Sequence, residues 1–154
     1  MRAQEPELKA DGRQSPTALL VARGVRRLLR SLGYSTLPEV ALPSGRRADL
    51  VAVSGESAIH IIEIKSCMAD FRADQKWPDY RAHCDRLYFA IPQDMPQDLL
   101  PLDAGLIVAD GYGAMVLREA PEHRLAPATR RAMLLRFALT GADRLHDLAD
   151  PERG

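Results

Sequence analysis

Three side chains in the first half of this 154-residue chain have the types and spacing to act on a phosphodiester: Asp49, then Glu63 with Lys65 two positions on. They interrupt an oily stretch, in which apolar runs from Ala48 to Val53 and from Ala58 to Ile64 flank Ser54-Gly55-Glu56-Ser57. An ionised group in such surroundings is costly unless it is paired or holds a metal. Two carboxylates are enough for Mg²⁺ or Mn²⁺, hard cations that take oxygen ligands and keep several waters. A cation so held generates hydroxide near neutral pH and offsets charge growing on the phosphoryl and leaving oxygens. Lys65 would project from the same strand face as Glu63, about 6.5–7 Å further along, within reach of an attacking water or a phosphate oxygen. The triad alone reads equally well as a structural salt bridge of Lys65 with Asp49 or Glu63.

The elements that must position these groups are two strands and a turn. Both runs are apolar at consecutive positions, so both faces of each strand should be covered, as in the middle of an α/β sheet. Asp49 and Glu63 share a face only if paired residue numbers sum to an even value, because a one-residue slip sends a side chain to the other face. A two-residue Gly55-Glu56 loop would give an odd sum, so the chemistry predicts a three-residue loop, a five-residue loop or a bulge.

The Asp, then Glu-Ile-Lys, pattern resembles the catalytic signature of the PD-(D/E)xK nuclease superfamily. The flanks, Glu39-Val40-Ala41-Leu42-Pro43-Ser44-Gly45-Arg46-Arg47-Ala48-Asp49 and the stretch from Asp70 through Trp77-Pro78-Asp79-Tyr80 to Ala90, resemble the MmcB-like DNA repair family within it. The resemblance implies an α/β fold with a restriction-endonuclease-like αβββαβ core and a mixed central sheet. It implies a metal-dependent DNA nuclease with Asp49, Glu63 and Lys65 as catalytic residues. Asp49 and Glu63 would be metal ligands, and Glu39 either completes the set or is a solvated charge at a strand end. A nuclease-like module that binds DNA or a repair partner without cutting is the alternative, and a homodimer is compatible with either. The superfamily's acidic residue on the first helix has no counterpart between Thr17 and Leu32.

Lys plus Arg and Asp plus Glu both number 21, so any hold on DNA must come from local clustering. Arg46, Arg47, Arg72 and Lys76 are the nearest cations to the acidic centre. Trp77 and Tyr80 either stack on bases or anchor the crossover to the sheet, with core anchoring the better reading for Trp77. The arginine face of the first helix, Arg23, Arg26, Arg27 and Arg30, is a solvated surface or a phosphate-contacting ridge.

Residues 1–14 are polar and aperiodic and read as a disordered tail, with one domain over 15–149. Ser15-Pro16 opens a helix that Gly33 closes. Pro78 opens a helix to about Cys84; Arg86 to Ile91 is a strand; Leu106–Ala109 and Ala114–Arg118 form a second hairpin. Between Pro92 and Pro101 there is room for one or two helical turns. Pro127 opens a final helix whose period continues through Gly141. No run is apolar enough to span a membrane and no signal-peptide core is present, which points to the cytoplasm. Cys67 and Cys84 then read as free thiols, and with His83 they lack zinc-site spacing. His60, in mid-strand, reads as a hydrogen-bonded core residue.

Overall fold

A computed structural model describes residues 15–73, 77–98 and 100–152, without the side chains of Asp70, Arg72 and Ala73. The expected tail over 1–14, Asp74, Lys76 and the Arg72 side chain therefore lie outside the described residues. Helix α1 (Pro16–Ser31) starts where the sequence says it should. The Ser15 side chain accepts from the Ala18 N–H at 3.1 Å, Pro16 occupies the first turn, and Gly33 follows the C-cap at φ +88.

Six strands form one sheet in chain order: β1 (Tyr34–Ala41), β2 (Arg47–Ser54), β3 (Ile59–Ile64), β4 (Arg86–Ile91), β5 (Gly105–Ala109) and β6 (Ala114–Arg118). The β1/β2, β2/β3 and β5/β6 pairs are antiparallel, whereas β3/β4 and β4/β5 are parallel. The expected mixed α/β sheet is present. The parallel β3-to-β4 step crosses over through α2 (Met68–Ala73) and a 3₁₀ segment, Trp77–His83. The first of these is too short to leave a periodic signature, and the second replaces the α-helix expected after Pro78. Between Pro92 and Pro101 the described residues form turns and bends rather than a helix. Pro92, Pro96 and Pro101 each remove a backbone donor there. Helix α3 (Pro127–Ala149) runs through Gly141 as expected.

Both faces of the hairpin are covered. Leu50, Ala52, Ile62 and Ile64 pack under α1 with Val21, Val25 and Leu29. Val51, Ile59 and Ile61 pack on the other face with Leu87 and with Met133 of α3. A fully buried isoleucine such as Ile61 or Ile62 contributes about 2 kcal/mol. Phe89, Ile91 and Leu106 form a third cluster, against which Phe71 of α2 and Trp77 pack. No helix among the described residues is long and apolar enough to cross a membrane.

Candidate active site

The β2/β3 ladder pairs Leu50 with Ile62, Val51 with Ile61 and Val53 with Ile59, all even sums. Ser54 N donates to Ala58 O at 3.0 Å, leaving the three-residue loop Gly55-Glu56-Ser57, with Ser57 in the left-handed region at φ +66. Asp49 and Glu63 are thereby directly opposed, on the strand face that carries Val51, Ile59 and Ile61.

At this point side chains replace the ladder. Asp49 N donates to Glu63 Oε2 at 2.8 Å, and Ile64 N donates to Asp49 Oδ2 at 2.8 Å. Each strand's carboxylate thus accepts the other strand's backbone N–H, and two acids are held side by side where β2 and β3 part. Glu63 is only 3 % exposed and Lys65 is buried too, its N–H donating to Ala90 O at 3.0 Å. Burial pushes the Glu63 carboxyl well above the usual carboxylate range, and the like charge of Asp49 adds to this. The Asp49 N–H, the Lys65 ammonium and the Tyr80 hydroxyl pull the other way.

A buried and a half-buried carboxylate that repel each other beside a cation make a donor set that a hard divalent ion fits. Oxygen ligands are what it requires, and its charge would relieve the repulsion. Glu39 is not gathered in. It faces Asp49 by register, between the pairs Pro38–Leu50 and Val40–Ala48, but its left-handed backbone (φ +50) breaks the side-chain alternation. Among the described residues no three His, Cys, Asp or Glu side chains are placed to hold a metal together. The Glu39 carbonyl instead accepts from Arg144 of α3.

The expected DNA-contacting residues fare unequally. Arg47 is exposed beside the site. Arg46 Nε donates to Asp79 Oδ2 at 2.9 Å, which ties the β1–β2 turn to the 3₁₀ segment. Trp77 is not a free stacking platform. Its ring meets Phe89 edge-on at 5.5 Å, and Arg81 lies over it at 5.2 Å, so it anchors the crossover. The Tyr80 ring packs into the core, and its hydroxyl reaches both the Arg47 carbonyl, at 3.3 Å, and the Glu63 carboxylate. Tyr80 therefore closes over the acidic pair. His60 is buried, 3.4 Å from the Tyr34 hydroxyl, and burial, helped by Arg86, lowers its pKa. Cys84 is buried and Cys67 exposed, and burial pushes the Cys84 thiol up to about 12.

Sequence reasoning missed the pair that clasps the opposite end of the strands. Asp85 accepts from Arg130 at 2.6 Å through both carboxylate oxygens, from Ile59 N at 2.8 Å and from Leu125 N at 2.9 Å.

Fold and site together define an open mixed-sheet α/β protein with an acid–acid–lysine cluster, its Glu63 and Lys65 buried and its Asp49 half-buried, at a parting of two strands. The chain belongs to the MmcB-like DNA repair protein family, which it matches over residues 5–152. It is similar to a solved structure described as SPO1766, a protein of unknown function from Silicibacter pomeroyi. That match has 40 % identity and a TM-score of 0.87, over 92 % of this chain and 97 % of the other. No curated protein matches the chain.

Proposed function

We propose that the protein hydrolyses phosphodiester bonds of DNA during repair, at the Asp49–Glu63–Lys65 cluster. The observation that carries this reading is the direct opposition of Asp49 and Glu63 in the apolar sheet, with Lys65 continuing the same strand face. Asp49 and Glu63 would hold Mg²⁺ or Mn²⁺, and the bound ion would supply a metal-activated water and a counter-charge for the phosphoryl oxygens. Burial and Asp49 disfavour the ionised form of Glu63 that a ligand needs, and the charge of a bound ion would favour it. The two backbone N–H bonds fix the carboxylates in place, so no reorganisation is needed when the ligand set forms. Lys65 orients the attacking water or a phosphate oxygen, and Tyr80 limits water around the pair. Membership of a DNA repair family and resemblance to the PD-(D/E)xK signature support DNA as the substrate.

The test pairs a calorimetric Mg²⁺ or Mn²⁺ titration with digestion of duplex, nicked, branched and single-stranded DNA. Wild type should bind the cation and cut at least one form. Asp49→Asn should lose both properties, and Lys65→Met should keep binding while losing turnover. Cation binding with no cleavage of any form would identify a silent nuclease-like module instead.

A further inference from the structure

Helix α3 buries one side in the core, through Met133, Leu134 and Phe137. At about 100° per residue, the diametrically opposite side carries Ala132, Leu135, Leu139, Ala142, His146 and Ala149, all exposed. The outer face of a solvated helix should be polar, yet five of these six are apolar, and Leu135 and Leu139 are 58 % and 55 % exposed. Their spacing is three, four, three, four, three. That is the 3.5-residue period of a seam between two paired helices, and the exposed Leu145 and Leu148 lie to one side of it.

We propose that this seam pairs antiparallel with the same helix of a second copy of the chain. The charges beside the seam choose both the partner and the direction. Placing Leu139 over the partner's Ala142 and Leu135 over the partner's His146 sets large side chains on smaller ones, so the axes can approach closely. The same register brings Arg136 beside the partner's Asp143, and two-fold symmetry repeats the contact. A parallel pairing would instead set Arg131 against the partner's Arg136. Antiparallel macrodipoles favour the same choice. Arg136 and Asp143 make no hydrogen bond or ion pair among the described residues, so each is available to a partner. A helix with Arg136 beside the first half of its seam and Asp143 beside the second is complementary to its own sequence read backwards, which is the property an isologous interface needs. The proposal does not depend on what the acidic cluster does.

Sedimentation equilibrium of the full chain over a wide concentration range tests it, with wild type expected to form a dimer. Leu139→Glu alters an exposed side chain, so it should give a folded monomer, with the wild-type circular-dichroism spectrum, and a melting temperature that no longer rises with protein concentration as the wild type's does. Arg136→Asp and Asp143→Arg should each weaken the dimer about tenfold, since each turns two attractive pairings repulsive, and the double exchange should restore it. A wild type that is monomeric throughout, a Leu139→Glu protein that stays dimeric, or a double exchange no tighter than its parents would each overturn the proposal.

Discussion

Glu63 is the residue at which structure and chemistry pull hardest against each other. An ionised glutamate buried next to an aspartate destabilises the metal-free fold, and the three groups that favour the charged form do not cancel that cost. Glu63→Gln keeps the shape and can still accept the Asp49 N–H while removing the charge. Near neutral pH the metal-free variant should therefore be more stable than wild type, by about 1 kcal/mol, in chemical denaturation. Wild type should gain stability on adding Mg²⁺, and Glu63→Gln should not. A metal-free Glu63→Gln protein markedly less stable than wild type would mean that Lys65 needs the Glu63 charge as a structural partner, and would favour the salt-bridge reading of the triad. The opposition of the two acids was legible because the apolar runs define the strands and the requirement for a common face defines the register. The failure of Glu39 to join them was not legible, because a left-handed backbone at a glutamate leaves no mark in the hydrophobic pattern.

At the scale of elements, the Asp85–Arg130 clasp joins the starts of β3 and β4 to the first turn of α3. Burial raises the Asp85 pKa, but the Arg130 guanidinium and the N–H groups of Leu125 and Ile59 outweigh it and hold the carboxyl at about 2. A depressed folded-state pKa means that this stabilisation is present above the ordinary value of 3.8 and is lost as pH falls from there towards 2. Thermal melts between pH 5 and pH 2 should show this loss in wild type and a flatter profile in Asp85→Asn. At neutral pH Asp85→Asn should cost about 3 kcal/mol, because Arg130 is left partly buried without its counter-charge. No local pattern reveals the clasp, since Arg130 lies 45 positions from Asp85. Helix α1 and the long run of α3 were readable from caps and period alone. Gly24 was not, although it is where α1 meets the β5–β6 turn. A β-carbon there would overlap the backbone carbonyls of Asp110 and Gly113, so Gly24→Ala should push the helix off the sheet and lower the melting temperature.

At the scale of the whole molecule, a chain with equal numbers of acidic and basic residues must concentrate its cations if it is to hold DNA. Beside the acidic cluster that concentration is modest among the described residues, because Arg46 is already paired with Asp79 and Arg47 stands exposed. The denser array lies between α1 and β1, in a groove of about 740 Å³ lined by Arg23, Arg26, Arg27 and Arg30, with hydroxyls from Tyr34, Ser35 and Thr36 and no carboxylate. Arg26 is held by the Thr36 hydroxyl at 3.0 Å, and Arg27 reaches the Tyr112 carbonyl. Arg23 and Arg30 make no hydrogen bond or ion pair among the described residues and stand about 10 Å apart along the helix. If the DNA backbone of the proposed function runs through this groove, Arg23→Ala with Arg30→Ala should weaken binding to every DNA sequence alike. The slope of log affinity against log salt should fall by about 0.7 to 0.9 for each phosphate that an arginine no longer neutralises. Both side chains are exposed, so the melting temperature should not change. An unchanged salt slope in a well-folded double variant would leave the groove a solvated surface and move the search for phosphate-binding cations to the Arg47 side of the sheet.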